Sequence, residues 1–310
     1  MTVLPLTILV LIGLLCALTA CETSERREAS EPVRLAANGE ASTVASAPAA
    51  PEETIAHIST PVVIDGDLNK PIWKLHPPIL VDHVYRKPGQ HAATPPMTVQ
   101  YVYDEDYLYI GYETFDTNLI AQGSGEVSGP MRNRRDGARI YNPPHKIDVV
   151  EFFIGFEDTR FMWELHHNAL NQFNDVFCIV PDSSWPIAKS SAMEFGILFL
   201  RGEYLHDDGP LTVKMAVKLK PKTDGTPSTV NDESDEDTGY TAEIRIPWKS
   251  LGAPADWIKG KRFSPAGHSF RILAVCQNGD MAERYHTSGI IPQTWFHKNG
   301  AVWPRYTLEK

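Results

Sequence analysis

The chain has 310 residues, 42% of them hydrophobic, and its 39 acidic against 29 basic residues give a formal charge of −10. No Lys/Arg stripe interrupts that acidic balance, which argues against nucleic acid or acidic lipid as the main partner. The sequence also lacks a nucleotide fingerprint, a zinc signature and a nucleophile elbow, so no local motif announces a reaction.

The first twenty residues contain no Lys, Arg, Asp or Glu, and the mostly apolar run from Val3 ends in Leu18-Thr19-Ala20-Cys21. That tetrapeptide resembles a bacterial lipobox. The expectation is that residues 1–20 are a lipoprotein signal peptide and that Cys21 is acylated, anchoring the chain by lipid to a membrane outside the cytoplasm, in the periplasm or at the cell surface. A plain secretory signal and an uncleaved anchor helix of marginal length are the alternatives. Residues 21–54 are rich in Ala, Ser, Glu, Pro and Thr and contain no aromatic side chain. Such a segment buries too little apolar surface to offset its ordering entropy, so a disordered tether is expected. Residues 55–310 then form one large β domain.

Val99, Tyr101 and Tyr103 follow a period of two, the pattern reverses at Asp104 to Asp106, and it resumes in Leu108, Ile110 and Tyr112. This predicts a hairpin with a solvated acidic turn. The same period of two runs through Leu211, Val213, Met215, Val217 and Leu219, and again through Phe270, Ile272, Ala274 and Cys276. Helical spacing occurs only in short pieces such as Pro247 to Leu251, where Pro can open a turn. Many strands at short intervals, broken by Pro and Gly, predict an all-β fold: an antiparallel β-sandwich, immunoglobulin-like or jelly-roll-like, with short helical turns. Trp73, Trp163 and Trp248 fall at packing positions, whereas Trp185 beside Pro186 is open.

Asp148 and Glu151 look like a pair of hydrolytic carboxylates, yet residues three apart on a strand point to opposite faces. Glu151 shares its face with Val149 and Phe153, where a carboxylate must find a partner or shift its pKa. A turn near Glu157 to Thr159 would return Glu164 and His166 beside it, either as a structural polar network or facing a ligand. Asp232, Asp235 and Asp237 place hard oxygen donors at spacings that can wrap Ca²⁺, although an acidic run is also the usual solvated hairpin tip. Cys178 and Cys276 are candidates for a disulfide outside the cytoplasm, or two separate buried thiols.

Five blocks occur in a telling order. They are Ile64-Asp65-Gly66-Asp67-Leu68-Asn69-Lys70-Pro71-Ile72-Trp73, the stretch Tyr101 to Gly111, Asp148-Val149-Val150-Glu151, the stretch Glu164 to Asp175, and Gly239-Tyr240-Thr241-Ala242-Glu243 through Gly252. In that order the chain resembles the family 9 carbohydrate-binding modules, β-sandwiches related in shape to DOMON domains. The resemblance implies non-catalytic binding of an oligo- or polysaccharide, clamped between loop aromatics, in support of polysaccharide capture or breakdown. Family members can also carry structural calcium. The site it implies is bounded by Trp295, Trp303, Tyr141 and His145, with Asn168 and Asn171 as polar contacts and Trp303 as second wall or core. One departure is plain: the family Trp before the third block is missing, so Tyr141 or His145 must substitute. Alternatives are a non-covalent haem-binding electron carrier, a protein associated with glycoside hydrolysis, and a surface scaffold without ligand.

Overall fold

A computed structural model describes residues 50–121, 129–130, 148–189, 193, 196–201, 213–260, 262–279, 284–287 and 295–310. Cys21, Tyr141, His145 and the signal segment 1–20 lie outside these residues, as does most of the expected tether.

The chain opens with β1 (Glu52–His57), β2 (Ile79–Val81), β3 (His83–Val84), β4 (Met97–Tyr103), β5 (Tyr107–Thr114) and β6 (Gly129–Pro130). Next come β7 (Val149–Gly155), β8 (Phe161–His167), β9 (Gln172–Ile179), β10 (Leu198–Arg201), β11 (Lys214–Leu219) and β12 (Tyr240–Pro247). A single α-helical turn, α1 (Trp248–Leu251), precedes β13 (Ile258–Lys259), β14 (Arg262–Phe263), β15 (Ser269–Gln277), β16 (Arg284–His286) and β17 (Arg305–Leu308). The strands run β10-β9-β8-β7-β15-β17 in one layer and continue through β1 into β4-β5-β12-β11 in the other.

The sandwich expected from the sequence is borne out, with one amendment. It is not wholly antiparallel, because β1 pairs in parallel with β17 through Glu52 to Ile55 and with β4 through Ala56 and His57. By changing partners partway along, β1 joins the two layers. The ordered domain therefore starts before residue 55, and Glu52 to Thr54, assigned to the tether, belong to the sheet. Their composition is polar because the strand's first three residues are exposed.

The period of two places one face of each layer inside. Val150, Phe152 and Ile154 of β7 with Ile272 and Ala274 of β15 meet Tyr101, Ile110, Tyr112 and Ile244 of the opposite layer in one apolar cluster. Each buried Val, Ile or Phe side chain in it contributes about 1.5 to 3 kcal/mol relative to exposure. The β4–β5 hairpin forms as expected, with Val99 opposite Tyr112 and Tyr103 opposite Leu108. Its turn is not wholly solvated: Asp104 is buried. The Asp104 carboxylate accepts the Asp106 and Tyr107 N–H groups at 2.9 and 2.7 Å and the Tyr109 hydroxyl at 2.6 Å. Asp104 closes the turn from within. Trp73, Trp163 and Trp248 are buried packing residues as expected.

The first and last sequence blocks are two halves of one network. Glu243 is fully buried on β12. It accepts the Asp65 and Gly66 N–H groups at 2.8 and 2.9 Å, the Trp73 indole N–H at 2.8 Å and the Lys70 ammonium at 2.5 Å. Gly66 has φ of +82°, and a Cβ there would stand 2.8 Å from the Val217 carbonyl carbon. Only glycine fits both the left-handed backbone and the close approach.

Candidate functional site

The outer face of the β7-β8-β9-β15 layer is lined by the alternate residues of those strands, and register decides which of them meet. Val275, Glu151, His166 and Asn174 stand opposite one another across four adjacent strands. Two residues along, Leu273, Phe153, Glu164 and Val176 form the next row. Directly opposed residues share a face, so the expectation that Glu164 and His166 return beside Glu151 is borne out.

The side chains form one connected set. His166 Nε2 lies 3.3 Å from Glu164 and 4.0 Å from Glu151. His297, from the segment covering the sheet, reaches Glu164 at 3.1 Å. Asn174 Nδ2 and His166 Nδ1 are 2.8 Å apart; the amide N–H donates, so His166 carries its proton on Nε2, toward the carboxylates. Arg284 donates through Nε to Gln277 at 2.7 Å, with a terminal nitrogen 3.9 Å from Glu151. All of these side chains are buried. Burial alone would raise the Glu164 pKa, but the adjacent His297 and His166 outweigh it and hold the carboxyl well below its usual range. Glu164 is thus a buried anion sustained by imidazoles.

Apolar residues cap this face. Phe296 packs on Phe153 with ring centroids 5.6 Å apart, and Trp303 does so at 5.7 Å. Trp303 is fully buried, and its indole donates to the Phe296 carbonyl at 3.2 Å. It is core, not a ligand platform, since no part of its ring is left for a sugar. Trp295 is only partly buried, and its ring centroid lies 6.2 Å from that of His297. Of the two expected tryptophans, Trp295 is the one that presents a ring at the rim of the polar rows.

Asn168 and Asn171 shape the β8–β9 turn. The Asn168 carboxamide oxygen accepts the Leu170 and Gln172 N–H groups at 3.1 and 3.0 Å, and Asn171 takes a left-handed φ of 55° that asparagine tolerates. Asn171 Oδ1 lies 2.9 Å from His167 Nε2, while His167 Nδ1 lies 2.6 Å from the Tyr112 hydroxyl. Oδ1 only accepts, so Nε2 carries the proton and Nδ1 accepts from the tyrosine. Burial pushes the His167 pKa down to about 4.

The acidic run does not converge on a point. Asp235 holds the Lys222 ammonium at 2.5 Å and the Thr229 hydroxyl. Asp237 accepts the Leu119 and Thr229 N–H groups at 2.9 and 2.8 Å, and Asp232 accepts from Ser234. Asp235 and Asp237 thus share Thr229, through its hydroxyl and its N–H, while Asp232 is held by Ser234. Of the two readings of Cys178 and Cys276, the separate buried thiols hold and the disulfide is corrected: both are buried and they are not joined to each other. They sit in different apolar clusters on strands separated by β8 and β7. Three strand spacings of about 4.8 Å exceed the reach of a disulfide.

Three groups among the described residues bring together metal-ligating atoms within 4.8 Å: Glu151, Glu164 and His166; Glu164, Cys178 and His297; and Asp82, His83 and His91. The first two belong to the buried rows; the third lies at the surface.

No protein-family model matches the sequence, and none of the curated proteins does. Among solved structures, the chain is similar to a protein from Bacteroides uniformis ATCC 8492 whose name proposes carbohydrate binding, with a TM-score of 0.51 at 12% identity. That match covers 84% of this chain and 100% of the other. The two share a fold. Two structures of a family 9 carbohydrate-binding module from Caldicellulosiruptor kristjanssonii also match. The complex with cellotriose has a TM-score of 0.42 at 15% identity, covering 83% of this chain and 93% of that one. The complex with glucose has a TM-score of 0.44 at 14% identity, covering 83% and 95%. The all-β sandwich expected from the sequence is thus a fold shared with the Bacteroides protein.

Asn174, Gln277, Arg284 and His297 are the residues of this face that sequence reasoning did not select. Asn174 lies within the fourth block and follows from the same alternation that selects His166. Arg284 and His297 carry no local signal, because each reaches the rows from a different part of the chain.

Proposed function

We propose that this chain binds carbohydrate without cleaving it, on the outer face of the β7-β8-β9-β15 layer. The sugar stacks on Trp295, which adjoins the His297 end of the buried carboxylate–imidazole set. The observation that carries this reading is the buried carboxylate–imidazole set ending beside a partly exposed indole. A pyranose offers CH-rich faces to an aromatic ring and hydroxyls to fixed polar groups, and such a site supplies both. The shared fold with the Bacteroides protein named for carbohydrate binding, and the block order in the sequence, support the same reading.

The arrangement favours binding over hydrolysis. A retaining glycosidase needs its two carboxyls about 5 to 5.5 Å apart, flanking the scissile bond. Here the His166 imidazole lies 3.3 and 4.0 Å from the two carboxylates, so the space a glycosidic bond would need is filled. The lipobox-like segment adds a place for the activity: anchored through Cys21 outside the cytoplasm, the module would hold a polysaccharide near the membrane for capture or breakdown. The acidic run carries no proposal for calcium, since its three carboxylates are occupied by Lys222, Thr229, Ser234 and backbone N–H groups.

Calorimetric titration of the full chain against a panel of mono- and oligosaccharides tests the reading. Saturable binding with no product, lost in Trp295→Ala, is the expected result. Silence across the panel, or unchanged affinity in the variant, would overturn it.

A further inference from the structure

A second cluster lies apart from the buried rows. β3 pairs with β16 so that His83 stands opposite His286, and on its other side an isolated bridge sets His83 opposite His91. Opposed residues share a face, so two histidines close in sequence and a third from the C-terminal part of the chain form one row. The His83 ring centroid lies 4.2 Å from that of His91 and 5.8 Å from that of His286, nearly parallel to the latter. The register is held by the backbone: Val84 N–H donates to the Gln90 carbonyl at 2.9 Å, and Ala92 N–H to the Asp82 carbonyl at 2.7 Å. Asp82 Oδ2 lies 2.9 Å from His91 Nδ1, orienting that ring.

We propose that Asp82, His83 and His91 form a binding site for a divalent transition ion of the zinc class. One donor atom from each lies within 4.8 Å of the others, close enough for small side-chain rotations to bring two nitrogens and one oxygen to bonding distance. Imidazole with carboxylate suits Zn²⁺, Cu²⁺ and Ni²⁺, and three protein ligands leave a further position open to water. His83 Nδ1 is buried with no hydrogen-bond partner, and a bound cation would use such a lone pair. His91 is half-exposed, so the site opens to solvent.

Equilibrium dialysis of the full chain against ZnCl₂ at neutral pH, read by elemental analysis, tests this. The expected result is one tightly held equivalent, with affinity reduced at least about tenfold in His91→Ala and in Asp82→Asn. His76→Ala removes an exposed histidine elsewhere and should change nothing. His91 and Asp82 lie on a surface hairpin, and circular dichroism of each variant confirms its fold. Zinc held equally by wild type and His91→Ala, or an equal loss in His76→Ala, would overturn the site, as would no retained zinc in the wild type. Sugar titration is read separately, so failure here leaves the carbohydrate reading untouched.

Discussion

Two buried glutamates, one in each layer of the sandwich, make opposite use of their surroundings. Glu243 in the β4-β5-β12 layer is surrounded by donors that cannot change: two backbone N–H groups, an indole N–H and a lysine ammonium. Glu164 in the β7-β8-β9 layer is surrounded by two imidazoles, beside a second carboxylate and a partly exposed tryptophan. A carboxylate saturated by fixed donors stabilises one structure and has no capacity left for a ligand. One partnered by two imidazole side chains has partners that can turn away from it. The same residue type thus marks a structural node in one layer and a candidate site in the other.

Removing Glu243 should break the comparison most severely. In Glu243→Ala the Lys70 ammonium loses a buried partner and three further donors lose their acceptor, at a cost of about 3 to 5 kcal/mol in denaturant unfolding. Trp303→Ala should cost a similar ~3 to 5 kcal/mol through the cavity it leaves. A small loss would mean that its ring is a platform after all.

A third test concerns Asp148, whose pKa burial pushes up to about 7, helped by the Asp116 charge. The folded state then keeps a proton that the unfolded chain releases near its ordinary value of 3.8. Stability from this group is present below pH 4 and is lost as pH rises toward 7, by about 4 kcal/mol for a shift of that size. His167, with its lowered pKa, acts the other way, losing stability as pH falls from about 6.5 toward 4. Comparing wild type with Asp148→Asn cancels the histidine, so their stability difference should change steadily between pH 4 and 7. Parallel curves would refute the assignment.

Glu164→Gln should cost about 1 to 3 kcal/mol at neutral pH, because two imidazoles lose a charged acceptor. Glu164 has a lowered folded pKa, so its contribution is present above the ordinary value of 4.5 and fades in more acidic solution. The gap between wild type and variant should close there, while sugar affinity falls at every pH. Smallest in stability is Trp295→Ala, within about 0.5 kcal/mol of wild type, with sugar affinity reduced tenfold or more. A stability loss as large as that of Trp303→Ala would make both tryptophans core.

The sequence alone carried the all-β class, the β4–β5 hairpin, the packing tryptophans and the pairing of Glu151 with Glu164 and His166. Each rests on a period of two and a short turn, so residues near in sequence decide it. The opening block and the late block were legible as signals but not as partners: only the folded chain shows that Glu243 waits for Gly66, Lys70 and Trp73, 170 or more residues away. Tertiary structure alone decided that Cys178 and Cys276 lie too far apart to join, that Asp232, Asp235 and Asp237 turn to protein donors, and that Trp303 is fully buried while Trp295 is only partly so. It also brought His297 to Glu164 and set His83 between His91 and His286. The physical reason is common to all of them. Alternation fixes the face on which a side chain lies, but the order of strands and the path of covering segments fix what it meets there, and those depend on burial summed over the whole sandwich.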